Sequence, residues 1–420
     1  MKKNTNIRRF VLIPTLALAC ALSAGCMMGA GNATTTSGST SATAPASAAA
    51  TATSSTTTAA AMTTLLDTGD VFTSRDLNQS PDLSAATYIT VVSGQDVTIS
   101  DEGIYVISGK ATDVTIYVQA AEDAKVQIVL DGVSITNADL PVIYAQTADK
   151  VFVTTLAATT STLEVTGTFA DGSAVIQSKC DLVLNGEGTL VIESSDKAVK
   201  SSDDLKVTGG TYKISAADDG LAANEAVLIA DGTFTITAGD DGIKAENDED
   251  DTEGYIYISG GDITVTAADD GIRATTFMVI DGGDITVSAV EGLEATYIQI
   301  NGGDISVKAT DDGINASAKS SVYTPTIEIN GGNVSVDMGQ GDTDAIDSNG
   351  GLYINGGTVT ITAQSPFDYD GVGQLNGSTV IVNGTQITSL SNQMMGGTGD
   401  MGTMGAQGGT APGGQMGGRF

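Results

Sequence analysis

The sequence predicts an all-β chain wound as a parallel β-helix with three short strands per coil. Three observations carry this reading. Over residues 203–317 one phrase is spoken five times, first as Leu205-Lys-Val-Thr-Gly-Gly-Thr-Tyr-Lys-Ile-Ser-Ala-Ala-Asp-Asp-Gly-Leu-Ala-Ala223. The glycines closing each Asp-Asp-Gly or its equivalent fall at Gly220, Gly242, Gly271, Gly292 and Gly313, in steps of 22, 29, 21 and 21 residues. A period near 21 denotes stacked supersecondary units. Within a unit, two runs of apolar alternation such as Ile256-Tyr-Ile258 and Ile263-Thr-Val265 are split by Gly-Gly, and a third run, Gly271-Ile-Arg-Ala274, follows. Nothing in the unit has helical spacing.

Composition agrees with thin stacked coils. Of 420 residues, 52 are Gly, aromatics make up 5%, and Trp and His are absent. The net charge of −33 argues against nucleic acid and against direct contact with an anionic membrane surface. It favours cations.

Taken in order, residues 1–25 form a signal peptide. Lys2, Lys3, Arg8 and Arg9 precede an apolar run from Phe10 to Leu22, and Leu22-Ser-Ala-Gly-Cys26 resembles a bacterial lipobox. Cys26 is the expected lipidation site, Leu16-Ala-Leu-Ala-Cys20 being a poorer alternative. The apolar run is too short for a membrane span. Residues 26–64, almost entirely Ala, Ser, Thr and Gly, read as a disordered stalk. The expected location is the outer face of a bacterial membrane, with the lipid as the only membrane contact. Cys180 is the one remaining thiol, so no disulfide forms within the mature monomer.

Residues 65–96 are expected to cap the open end of the solenoid, because terminal strand edges need cover. Coils occupy residues 97–390. Val126, Val151, Leu182 and Leu205 open successive first strands, and Ile327, Leu352 and Val380 continue them. Third strands run through Ile143, Ile176, Val199, Leu221, Ile243, Ile272, Leu293, Ile314 and Ile346, with Ala145, Ala223, Ala245, Ala274, Ala295 and Ala316 two places on. Alternation turns the intervening residues outward: Lys200, Ala222, Lys244, Arg273, Glu294, Asn315 and Asp347. Two insertions, Glu246–Glu253 and Ser317–Pro325, both follow a third strand, so both loops are expected on one edge. Residues 391–420, rich in Gly and Met, read as a disordered tail.

If coils stack about 4.8 Å apart, their corners bring Asp218-Asp219, Asp240-Asp241, Asp269-Asp270, Glu291 and Asp311-Asp312 into a column. Two unit charges at that spacing repel by about 1 kcal/mol in water, and by several times more when partly buried. A single Asp-Asp-Gly is an ordinary turn, in which Asp caps its own backbone and Gly takes positive φ. Five in register call for a cation. Ca²⁺ suits them, accepting 6–8 oxygen ligands in flexible geometry. The expected ligands are those eight aspartates with Glu246, Asn247 and Asp248 of the acidic loop. The lack of His and of clustered Cys speaks against zinc, copper and iron. Lys244 and Arg273, with Lys200, form a stripe able to engage the carboxylates of an acidic polysaccharide. Local charge balance would explain the same residues.

The leader, Phe72-Thr-Ser-Arg-Asp-Leu77, the Ile-x-Gly-Gly and Asp-Asp-Gly-Ile phrases and the Met/Gly tail resemble the secreted carbohydrate-binding β-helix proteins, typified by a calcium-containing binder of polygalacturonate and cellulose. The resemblance spans about residues 65–390. It implies a right-handed single-stranded β-helix, bound Ca²⁺ and a pectin-like ligand. That family is similar in fold to polysaccharide lyase family 9, in which a Lys base works beside Ca²⁺ held by Asp. This allows a lyase alternative with Lys244 (or Arg273) as base. The irregular coils at Gln340–Asp347 and Phe367–Asp370, and Val290-Glu291 in place of Asp-Asp, weaken the expected calcium sites there. The expected function is calcium-dependent binding of acidic polysaccharide, with lyase and glycan-free surface adhesin as alternatives.

Overall fold

The computed structural model describes residues 64–339 and 343–392. The signal peptide, Cys26, the expected stalk up to residue 63 and residues 393–420 of the expected tail lie outside them. The described chain is all β, with no α-helix and two short 3₁₀ turns at Thr68–Asp70 and Leu83–Ala85. Its strands form one sheet of 22 and one of 12. Each coil gives two strands to the larger sheet and its third to the smaller. This arrangement fits a parallel β-helix.

Register follows the repeat. First strands align as Leu182, Leu205, Val227, Ile256, Met278, Ile298, Ile327 and Leu352, each the parallel partner of the next. Second strands align as Tyr212, Phe234, Ile263, Ile285, Ile305, Val334 and Val359. The expected third-strand ladder from Ile143 to Ile346 is continuous, and every member of it is buried. These three inward stripes make one core along the axis. A hairpin of Thr379–Val382 and Thr385–Ile387 ends the described strands with an antiparallel pair.

The glycine of Asp-Asp-Gly differs from the expected turn residue. Gly220, Gly242, Gly271, Gly292 and Gly313 are not among the positive-φ glycines, whereas Gly261 and Gly283, closing Gly-Gly turns, have φ of 104° and 105°. Space is what demands glycine at the acidic corner. A Cβ on Gly242 would sit 2.2 Å from Val265 Cγ1 and 2.6 Å from the Gly271 carbonyl oxygen. Gly242→Ala should therefore cost about 1–3 kcal/mol by overpacking, read as a lower midpoint in urea unfolding.

The expected end cap is a different object. Residues 65–79 run as a strap along the outside of the larger sheet, and their contacts fall on mid-solenoid coils. Leu65, Val71 and Phe72 cover Ala226, Leu228, Tyr255, Tyr257, Phe277, Val279 and Tyr297. Phe72 stacks on Tyr257 at 6.3 Å, and the Arg75 guanidinium lies 4.7 Å from the Phe152 ring centre. The cause lies in the first strands, where runs such as Phe277-Met-Val-Ile280 are apolar on both faces. The outward half of each run needs its own cover. Thr87–Thr90, expected within the cap, is the first strand of the solenoid and pairs with Gly103–Thr112.

Candidate functional site

The acidic corners stack as the repeat requires. In the first three pairs the leading carboxylate is the more exposed and the second is buried: Asp218 and Asp240 are over a third exposed at the side chain, Asp219 and Asp241 are shut away. Backbone of the next rung holds the buried ones. Asp241 N–H donates to Asp219 Oδ1 at 3.4 Å, and Asp270 N–H to Asp241 Oδ1 at 3.0 Å. The outward column is also in register, Lys200 through Ala222, Lys244, Arg273, Glu294 and Asn315 to Asp347.

Bases interleave with these acids. Lys197 Nζ lies 2.6 Å from Asp218 and 2.8 Å from Asp219. Lys244 Nζ is 2.9 Å from Asp241, with Asp240, Glu246 and Asp219 at 3.6–3.7 Å. Arg273 reaches Glu246 at 3.0 Å, Asp241 at 3.5 Å, Glu294 at 3.6 Å and Asp270 at 3.7 Å. Lys319, from the second insertion, is 2.8 Å from Glu294. Lys244 and Arg273 thus spend their charge within the chain. Burial works against the charged form of each, but the surrounding carboxylates win and raise both pKa values. Lys200 behaves oppositely: burial, helped by Lys197 and Lys244, lowers its pKa against the pull of Asp219.

Three sets of carboxylates bring oxygens within 4.8 Å of one another: Asp218, Asp219 and Asp240; Asp240, Asp241 and Asp269; Asp270, Glu291 and Glu294. All-oxygen donors of this kind suit a hard divalent cation. The third set is the most strained electrostatically, since burial and the neighbouring Glu294, Asp241 and Glu291 push the Asp270 carboxyl far up. Six of the eight expected aspartate ligands fall in these sets. Asp311 and Asp312 belong to none of them. Asp312 faces later rungs and is pushed up to about 7 by burial and by Asp347, Asp311 and Glu291. Asn247 Oδ1 is taken up by the Glu249 and Asp250 backbone N–H groups, both at 3.0 Å.

The insertions meet, as expected of loops on one edge. Ser320 Oγ donates to the Asp251 carbonyl at 2.6 Å, and Ser321 Oγ to Asp251 Oδ2 at 2.5 Å. Between them lies a groove of about 460 Å³ walled by Glu246, Asn247, Asp248, Glu249 and Asp251, with Arg273, Thr275 and Lys319 completing it. Sequence reasoning left out Lys197, Lys319 and Glu294 as site members. Lys197 occupies the buried-Asp position one rung earlier, since Ala198 N–H bonds to Asp219 O as Gly220 N–H bonds to Asp241 O.

A second acidic corner lies at the turn before the first strands. Burial and Asp204 push Asp181 up to about 6, despite Lys150 and Lys206. Burial and then Asp203, Asp204, Glu253 and Asp181 push Glu225 up to about 7. Both folded values exceed the unfolded ones, near 4. Their contribution to stability is therefore full below pH 4 and is lost as pH rises through about 6 and 7. In chelator-treated protein, calorimetric melting should fall by several degrees between pH 5 and pH 8.

A model of the family described as "Carbohydrate-binding domain-containing protein" matches residues 93–343. A relative of the same description from Acetivibrio thermocellus is 35% identical over 128 residues, which is 28% of this chain and 44% of the relative. The chain thus spans under half the length of that curated relative. A solved structure described as the polysaccharide lyase-like protein from C. thermocellum, gadolinium derivative, is 29% identical, with a TM-score of 0.48 over 52% of this chain and 95% of that one. With its family match covering more than half of its length, the chain belongs to the carbohydrate-binding domain family.

Proposed function

We propose that this chain binds an acidic, pectin-like polysaccharide such as polygalacturonate with the help of Ca²⁺, on the flank formed by the acidic corners and the two loops. The observation that carries the reading is the in-register stack of three carboxylate sets beside a groove containing Arg273 and Lys319. A chain of net charge −33 and a polyuronate repel each other. A divalent ion held by both reverses that sign, and the regular rungs offer one such point per coil to a regular polymer. A right-handed coil sense, favoured by strand twist and crossover geometry, and display outside a bacterial membrane through lipidated Cys26 complete the proposal.

The test is retention on immobilised polygalacturonate and on a neutral glucan, with Ca²⁺ or with chelator. Retention on polygalacturonate alone, abolished by chelator, is expected. Retention that ignores chelator would overturn the calcium part, and none on any glycan would favour a surface spacer or adhesin. Removing Ca²⁺ should also lower the melting temperature. An ion at 100 times its Kd adds about 2.7 kcal/mol, or roughly 4 °C for a domain of this size.

The bases expected of a lyase are engaged in ion pairs, Lys244 Nζ with Asp241 at 2.9 Å and Arg273 with Glu246 at 3.0 Å. Calcium-dependent release of unsaturated uronates, lost in Lys244→Ala, would overturn the binding reading in favour of a lyase.

A further inference from the structure

Upstream of the acidic corners the outward column of the third strands carries no acid. Thr98, Tyr117, Tyr144, Gln177 and Lys200 are successive parallel partners, about 4.8 Å apart. The first carboxylate in the column is Glu294, four rungs beyond Lys200. The rings of Tyr117 and Tyr144 have centres 6.1 Å apart and planes tilted by 39°. Tyr144 is 4% exposed, whereas Tyr117 is half-buried and is followed at the edge by Thr98, which is exposed. Tyr117 therefore ends the aromatic stack, and nothing as large as a ring follows it. Lys179 is exposed, and its Nζ stands 5.5 Å from the Tyr144 ring centre, a cation–π distance. Among the described residues neither Lys179 nor Lys200 has a carboxylate within ion-pair reach, whereas Lys197, Lys244, Arg273 and Lys319 all do. In a chain of net charge −33, these two ammonium groups spend no charge on a neighbouring acid.

We propose that Tyr117, braced by Tyr144, forms with Lys179 and Lys200 a calcium-independent subsite for successive uronate residues of an acidic polysaccharide. The chemistry divides between ring and ammonium. The C–H face of a pyranose packs on an aromatic face, whose π-electrons are negative toward it. A lysine is a compact charge whose rotating donors follow a carboxylate. Mobile salt limits the reach of the remaining protein charge to about 8 Å at physiological ionic strength, so the local sign governs here. The corners meet such a chain through a bound ion, and this stretch meets it by direct contact. The inference rests on the proposed acidic ligand and not on its calcium. Alone, the subsite does not hold a polymer once the corners are stripped, because exposed ion pairs and one ring contact are each weak.

The test uses the full chain with ring-labelled tyrosine, held in chelator and followed by NMR while trigalacturonate or its methyl ester is added. In wild type the Tyr117 and Tyr144 signals should move, and the free acid should bind roughly tenfold more tightly than the neutral ester. Lys179→Met/Lys200→Met, made at surface positions, should erase that preference while the ester still moves the rings. Tyr117→Ala should weaken both ligands by roughly three- to tenfold. Tyr117→Phe, which assigns the Tyr117 signal by removing it, should bind as wild type does. An unmoved Tyr117 signal in wild type, or equal affinity for acid and ester, would overturn the subsite and leave the calcium corners standing. Ring shifts that persist while polygalacturonate retention proves indifferent to chelator would support the subsite and count against the calcium part alone.

Discussion

Replacing Asp76 with Ala is expected to cost about 3–5 kcal/mol, the penalty for taking the shared carboxylate from two buried ammonium groups, which are left with Asp181 at 3.7 Å from Lys150 and Asp204 at 3.9 Å from Lys206. Asp76 is fully buried under the strap, 3.2 Å from Lys150 Nζ and 4.0 Å from Lys206 Nζ. Its Oδ2 accepts the Thr73 N–H at 3.0 Å, which closes the turn that carries it. Its backbone carbonyl accepts Asn185 Nδ2 at 3.3 Å and also the Thr208 hydroxyl. Burial alone would raise its pKa, but Thr73 and the two lysines outweigh burial and hold it below the usual range. A depressed folded value stabilises above the unfolded pKa and is lost as pH falls through it, so the variant and wild type should converge in acid. Urea unfolding at pH 7 checks the magnitude. Proteolysis checks the location, since cleavage within residues 64–80 should accelerate before the coils are cut. Removing Lys150 and Lys206 together with Asp76, as Met, should recover much of the loss. Unchanged unfolding in Asp76→Ala would mean the strap is held by its apolar contacts alone.

The sequence makes the solenoid legible because its signal is periodic. A wrong register would turn every Ile and Val of the ladder outward, so inward and outward columns follow from alternation alone. The two loops meet on one edge for the same reason, as insertions at equivalent points of a repeat must. The strap was not legible. Phe72-Thr-Ser-Arg-Asp-Leu77 has no period, and its partners, Lys150, Asn185, Lys206 and Thr208, lie over seventy residues away. The acidic corners were legible as positions, less so as an electrostatic system. Lys197 and Lys319 enter from a variant repeat and from an insertion, where the repeat gives no guidance. The glycine of Asp-Asp-Gly invited a turn explanation, and the structure gives a packing one: Val265, Val287, Val307 and Val336 fill the space a Cβ would need.

Replacing Lys244 with Met should divide the calcium-bound protein from the calcium-free one. Without calcium, Asp219 and Asp241 lose the ammonium 3.7 and 2.9 Å away, and Arg273, 3.5 Å from Asp241, is left as that carboxylate's remaining base in the column. A buried carboxylate losing its partner costs about 3–5 kcal/mol, so metal-free melting should drop markedly. With calcium the loss should shrink, because the ion can take the vacated place among Asp240, Asp241 and Asp269, whose oxygens already lie within 4.8 Å of one another. In wild type the same ion must compete with Lys244 Nζ for those oxygens. The variant should therefore bind calcium at this corner more tightly, while polygalacturonate retention that depends on the corner survives. Paired melts of wild type and Lys244→Met, with calcium and with chelator, measure the exchange directly. If calcium fails to narrow the gap, the corner is a closed ion-pair network that takes up no cation.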